Sequence, residues 1–112
     1  MPFINTPEIQ NLPKGRYRLK NSLTFQDYHD GAVYVVPKGF ESDGATGLPR
    51  CLERNILSSS FLHDWLFEQD KSTAECNAIF YRSLLDEGIN FWYANILYGL
   101  VNLGGGLIRE KA

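Results

Sequence analysis

The chain has 112 residues, of which 44% are hydrophobic and 21% are charged, and its net charge is −2. This length predicts a single domain with one core, and the ordinary composition excludes a disordered or low-complexity chain. The slight negative charge argues against nucleic-acid binding, which needs a basic surface. A short basic strip, formed by Lys14, Arg16, Arg18 and Lys20, alternates along the sequence and is interpreted as the solvated face of a strand.

The N-terminal sequence MPFINTPEIQ has no basic segment followed by an apolar stretch, so the sequence predicts no secretory signal. The two cysteines, Cys51 and Cys76, fit reduced thiols in a cytosolic chain better than a disulfide framework, which a small secreted protein would build from four or more. A single bridge between them stays open as an alternative.

The segment from about 16 to 43 is predicted to be rich in β-strands. RYRLK alternates, while SLTFQDY and AVYVV carry the β-branched and aromatic residues typical of strands. Asp30 and Gly31 supply the dipeptide that favours a tight hairpin turn. The glycine-rich ESDGATGLP stretch at 41–49 predicts an ordered loop, and the whole connection to the helical half covers about 44–56.

The remaining residues, about 57–104, predict three helices. The first covers about 57–69, with Ser58–Ser60 as candidate caps. The second opens at STAE, where Ser72 and Glu75 have the capping-box spacing, and stops at Gly88. The third covers about 90–103 and ends at a triple glycine. Strands followed by helices indicate an α+β fold, with residues 1–112 forming one domain.

The apolar region from 91 to 108 approaches the length of a membrane span. Asn95, Asn102 and four glycines interrupt it after about 13 helix-compatible residues, so a buried or interfacial helix is predicted instead. We interpret the rings of Phe91, Trp92 and Tyr93 as core residues. Binding to a membrane surface through them is the less favoured alternative.

Helical spacing places two polar side chains at the predicted core. At 100° per residue, His63 falls between Leu66 and Phe67 and points at the core, whereas Asp64 lies nearer the water. Asn77 projects from the middle of the buried face predicted for the second helix, which comprises Ala74, Ala78, Phe80, Tyr81, Leu84 and Leu85. We therefore expect Asn77 to hold His63. On packing grounds alone, the two side chains simply satisfy the hydrogen bonds of each other or of backbone carbonyls.

Four stretches occur in an order that resembles a family of small phage and prophage proteins known only as a domain of unknown function. They are VPKGFESDGATGLPR, HDWLFE, AECNAIFYRSLL and ANILYGLVNLGG, and they cover about residues 30–106. The resemblance implies a phage-encoded protein that acts in the host cytoplasm or the virion, with an unidentified phage or host protein as its partner.

SDGAT, followed about twenty residues later by FLHDWLF, resembles the small phospholipases A2, especially the prokaryotic form. The resemblance implies the phospholipase helical scaffold for the three-helix half. Carried over residue by residue, it makes His63 the general base for a water, Asp64 and Asp43 calcium carboxylates, and Asn77 the residue that orients the histidine. Gly44 would add a loop oxygen. Hard oxygen donors of this kind suit calcium, and we expect Asp43 and Asp64 to approach each other.

Two departures from the phospholipase pattern weigh on function. Asn77 stands where both families have aspartate, and an amide cannot stabilise an imidazolium by charge. The phospholipases are also secreted and held by disulfides, unlike the protein predicted here. We therefore expect a phage accessory protein, a non-catalytic binding, assembly or host-interaction module in which the histidine joins two helices. The alternative is a calcium-assisted ester hydrolase of phospholipids with His63 as its base.

Overall fold

The computed structural model describes residues 3–42 and 57–100. In these two ranges, antiparallel strands precede three α-helices, which confirms the predicted α+β class. A 3₁₀ turn at Pro13–Gly15 separates the first two strands. The elements are β1 (Ile9–Asn11), β2 (Tyr17–Leu19), β3 (Leu23–Gln26), β4 (Val33–Val36), β5 (Glu41–Ser42), α1 (Leu57–Phe67), α2 (Thr73–Asp86) and α3 (Phe91–Leu100).

One sheet has the strand order β1-β2-β5. Ile9 lies opposite Leu19, and Tyr17 lies opposite Ser42. β1 was not predicted. β5 lies within the 16–43 segment predicted to be rich in strands, so the ordered loop predicted over 41–49 is wrong at residues 41–42. A strand of two residues is too short to show a readable alternation, and β5 exists because β2 supplies its hydrogen-bonding partner.

The basic strip lies beside this sheet. Arg16 and Arg18 have side chains that are 48% and 41% exposed, and both form ion pairs with Glu41 on β5, at 3.2 and 2.9 Å. Exposed pairs of this kind contribute little to stability. The interpretation of a solvated strand face holds for Arg18, but Lys14 lies in the 3₁₀ turn.

The second sheet pairs β3 with β4 and shows the alternation expected of a half-buried hairpin. Phe25 lies opposite Tyr34, and both rings are buried, whereas Val33 and Val35 point to solvent. The predicted tight Asp-Gly turn is wrong. The amide of Asp27 bonds to the carbonyl of Ala32, so four residues form the loop, and Gly31 supplies the positive φ of +76° that closes it.

The ends of the helices follow the predicted signals in α2 but not in α1. Ser72 Oγ accepts a hydrogen bond from the amide of Glu75 at 3.1 Å, as the capping-box spacing predicted. Gly88 follows the helix with φ +83°, which confirms it as the stop signal. Ser58–Ser60 do not cap α1; they lie inside it and are buried, because the helix already includes Leu57.

The core lies between the sheets and the first two helices. It contains Leu19, Leu23, Phe25, Val36, Phe61, Leu62, Leu66, Cys76 and Ile79, each at most 3% exposed. Burial of one such leucine or phenylalanine side chain contributes about 1.5–3 kcal/mol. Cys51, the other half of the open disulfide alternative, lies outside the described residues.

A smaller cluster joins α2 to α3 through Phe80, Leu84, Ala94 and Leu97. The buried face predicted for α2 is therefore correct at Phe80 and Leu84 but wrong at its margins.

Ala74 and Leu85 of α2 are exposed. The two residues lie eleven positions apart, so both are on the same side of the helix.

The interpretation of the three aromatic rings of α3 as core is wrong for two of them. Phe91 and Trp92 are 58% and 75% exposed, because the helix turns Ala94 and Leu97 toward α2 instead. Tyr93 is partly buried against the smaller cluster.

Candidate functional site

The centre of the candidate site is a hydrogen bond between α1 and α2. His63 Nε2 and Asn77 Oδ1 are 2.7 Å apart, and the two residues are only 7% and 1% exposed. Since the amide oxygen can only accept, Nε2–H donates, which assigns the neutral ring the tautomer with its acceptor nitrogen at Nδ1. The two side chains meet between α1 and α2, as the helical spacing of the sequence predicted.

Two aromatic side chains pack against the imidazole ring in tilted arrangements. The ring centroid of His63 lies 4.3 Å from that of Phe67 and 4.6 Å from that of Phe80. Phe67 follows His63 by one turn of α1, and Phe80 follows Asn77 by three residues on α2. The ring is therefore restrained by contacts with two aromatic rings and by a hydrogen bond at Nε2.

Asp64, the neighbour of the histidine, faces a different element. Its Oδ2 accepts a hydrogen bond of 2.5 Å from the hydroxyl of Ser42, which is 2% exposed at the end of β5. Asp64 itself is half-buried, as expected for its position at the margin of the helix. The bond ties the start of the predicted loop to the helix that carries the histidine.

The predicted calcium ligands are only partly described. Asp43 and Gly44 lie outside the described residues, so the expected approach of Asp43 to Asp64 stays a prediction. In residues 3–42 and 57–100, no group of three or more histidine, cysteine, aspartate or glutamate side chains could hold a metal ion. Asp64 offers the hard carboxylate oxygens that calcium favours, but a site would need Asp43 and Gly44 as well.

Ser42 is a site residue that sequence reasoning missed. The ESDGATGLP stretch placed it in a loop, and no local pattern distinguishes a serine that reaches a helix 22 residues later. An alternation of apolar and polar residues along β5 would have been the signal for this strand, but two residues are too few to show it.

A second polar contact that the sequence did not reveal lies near the start of α1. Glu87, at the end of α2, accepts hydrogen bonds from the Ser59 amide at 2.9 Å and from the Ser59 hydroxyl. Burial raises the pKa of the Glu87 carboxyl above its usual value, and the bonds from Ser59 only partly oppose this. This contact fastens the first turn of α1 to the end of α2, away from His63.

The family model described as "Protein of unknown function (DUF1353)" matches residues 17–101, from β2 through α3. The chain belongs to this family. The matched range includes Asp43, Gly44, His63, Asp64 and Asn77, and it excludes β1. Comparisons with curated proteins and with solved structures found no match for this DUF1353 chain.

None of the helices described in this DUF1353 protein is long and apolar enough to cross a bilayer.

Proposed function

We propose that this protein is a phage-encoded accessory protein, a non-catalytic module that binds a phage or host protein, built on a phospholipase A2-like His-Asp scaffold. It would act in the host cytoplasm or in the virion. The phage assignment is supported by the four ordered sequence stretches that resemble phage and prophage proteins. Membership of the DUF1353 family agrees with that resemblance but carries no function of its own.

The hydrogen bond from His63 to Asn77 carries the proposal for a non-catalytic role. A general base is stronger beside a partner that favours the imidazolium formed when it takes a proton, and a carboxylate provides that charge. The Asn77 amide provides a hydrogen bond without charge, inside a site where both residues are buried. An uncharged pair fits a structural link between α1 and α2, because it satisfies two buried polar groups without burying an ion.

The decisive experiment is Asn77→Asp. In a structural link the new carboxylate is buried beside Phe80, so we expect a loss of about 1–3 kcal/mol in unfolding free energy at about pH 8. The loss should shrink at about pH 6, where the imidazolium form of His63 can pair with the carboxylate. Melting curves at both pH values measure this, with Asn11→Asp on the exposed end of β1 as the matched amide-to-acid control.

Activity assays complete the test. Parent and Asn77→Asp proteins are incubated with short-chain and phospholipid esters, in calcium and in chelator. The non-catalytic module predicts no turnover in either protein. Calcium-dependent turnover in the parent that vanishes in His63→Ala would contradict it.

The hydrolase remains the second candidate because of the hydrogen bond between Ser42 and Asp64. That bond holds a carboxylate of α1 next to the end of β5, and Asp43 and Gly44 are the next two residues of the chain. A calcium ion held there would polarise an ester carbonyl, while His63 takes the proton of the attacking water through Nδ1. For this candidate, Asn77→Asp should raise the hydrolysis rate about tenfold or more, and chelator should abolish it.

A further inference from the structure

The outer face of α3 is apolar and exposed. Phe91, Trp92 and Ile96 are 58%, 75% and 60% exposed, while Ala94 and Leu97 bury the inner face against α2. No aspartate, glutamate, lysine, arginine or histidine occurs from 88 to 108. A helix that is apolar on both sides is typical of one that is covered on both sides. The outer face of α3 therefore has the character of a contact surface.

This face is bulky at one end and has only a glycine, with no side chain, at the other. Side chains four apart form two rows along it, with Trp92 and Ile96 in one row and Phe91, Asn95 and Gly99 in the next. The rings of Phe91 and Trp92 meet edge to face with centroids 5.9 Å apart, which makes a firm projection. Near Gly99, a Cβ atom would meet nothing within 4 Å, so the surface there is open.

We propose that the outer face of α3 docks antiparallel on the same face of a second copy of this chain, with Trp92 of each copy seated over Gly99 of the other. A two-fold axis between Asn95 and Ile96 pairs position 92 with position 99, because each lies three and a half residues from that axis. The bulky end of one helix then meets the glycine end of the other, where no side chain blocks a close approach. The face is complementary to itself, as an isologous contact requires.

The charge pattern favours a second copy over a lipid surface. Interfacial helices usually carry lysine or arginine on their polar side, and α3 has neither. The whole chain has a net charge of −2, which opposes binding to anionic lipid. An uncharged face does not repel its own copy across a two-fold axis.

The size of the face indicates a weak dimer. With aromatic side chains of about 150–250 Å², the exposed parts of Phe91, Trp92 and Ile96 amount to about 400 Å² on each copy. An interface of standard size takes about 800 Å² from each partner. The three side chains would form the apolar centre of the interface, and neighbouring residues would form its rim. We expect the dimer to have a dissociation constant in the micromolar range or weaker. This association goes beyond the binding role proposed above, because it needs no phage or host protein.

Sedimentation equilibrium over a wide range of protein concentration tests the dimer, with Gly99→Leu as the principal variant. The leucine side chain occupies the space where Trp92 of the other copy would sit. Because leucine is a better helix former than glycine, the monomer should keep or gain thermal stability. We expect the dissociation constant to rise about tenfold or more in Gly99→Leu and in Trp92→Ala. Val33→Ala, which shortens an exposed side chain on β4, should leave it unchanged.

Fluorescence distinguishes the second copy from lipid. The chain has two tryptophans, so Trp65→Phe leaves Trp92 as the reporter. A blue shift of its emission with rising protein concentration, lost in Gly99→Leu, supports the proposal. A mass that stays monomeric, a dimer that Gly99→Leu does not weaken, or a blue shift seen only with zwitterionic phosphatidylcholine vesicles would overturn it.

Discussion

Arg82 of α2 binds both carboxylate oxygens of Asp27, 55 residues earlier in the chain. Its Nε donates to Oδ1 and Oδ2 at 3.0 and 3.1 Å, and its Nη2 donates to Oδ2 at 2.7 Å. Asp27 begins the hairpin loop after β3 and is 1% exposed. This ion pair fastens the second sheet to the middle helix, and it is the most strongly bonded polar contact between the two halves of the described structure.

The first prediction concerns the acid sensitivity of this pair. Burial alone would raise the pKa of Asp27, but the hydrogen bonds and charge of Arg82 and the His29 amide together lower it below its ordinary value. A lowered carboxyl pKa adds stability above the unfolded value near 3.8 and loses it as the pH falls through the folded value. Asp27→Asn should cost about 2–3 kcal/mol at neutral pH, and the difference from the parent should shrink below about pH 4.

Denaturant unfolding of parent and variant across this pH range measures the effect. Asp30→Asn, on the same loop but exposed, is the matched control and should change stability by less than about 0.5 kcal/mol. A constant difference between Asp27→Asn and parent down to strong acid would contradict the assignment.

The second prediction concerns Glu87 and has the opposite sign. Burial raises the pKa of this carboxyl, so its contribution to stability is fully present below about 4.5 and is lost as the pH rises through the folded value. Glu87→Gln keeps an acceptor for Ser59 and removes the titration, so its melting temperature should change less than that of the parent between about pH 4.5 and pH 8. Glu87→Ala leaves Ser59 without this acceptor and should cost about 1–3 kcal/mol.

Thermal melts of the three proteins across that range check the prediction. Glu68→Gln is the control, because Glu68 is exposed and directly follows α1. If Glu87→Gln and the parent have the same pH dependence, the carboxyl does not titrate as described.

The third prediction concerns the bond between Ser42 and Asp64. Ser42→Ala removes a buried hydroxyl donor and should cost about 1–2 kcal/mol. Asp64→Asn weakens the same contact, so the double variant should show a coupling energy of about 0.5–2 kcal/mol. Ser22→Ala, at an exposed serine, provides the control for loss of a hydroxyl. Strict additivity of the two substitutions would show that the bond does not contribute to folding.

The fourth prediction compares the two histidines of the chain. His63→Ala removes a ring packed against Phe67 and Phe80 and the hydrogen bond that it donates to Asn77, so it should lower the unfolding free energy by about 1–3 kcal/mol. His29→Ala, at the exposed histidine, should shift the melting temperature little. Equal shifts of the melting temperature in the two variants would show that His63 does not stabilise the fold through packing.

Short-range patterns in the sequence determined much of the fold and, within the candidate site, the pairing of His63 with Asn77. The alternation in β3 and β4, the cap at Ser72 and the stop at Gly88 follow from backbone geometry over a few residues. Helical periodicity likewise turned His63 and Asn77 toward the same interior. Such patterns are readable because they act between residues that are close in the chain.

Tertiary structure decided the contacts between distant residues. β5 depends on pairing with β2, Asp27 meets Arg82 across 55 positions, and Ser42 reaches Asp64 across 22. The exposure of Trp92 also depends on which side of α3 packs against α2, since both sides of that helix are apolar. The local preferences of a two-residue strand or a single serine are too weak to determine its partner. The partner is therefore set by the path of the folded chain.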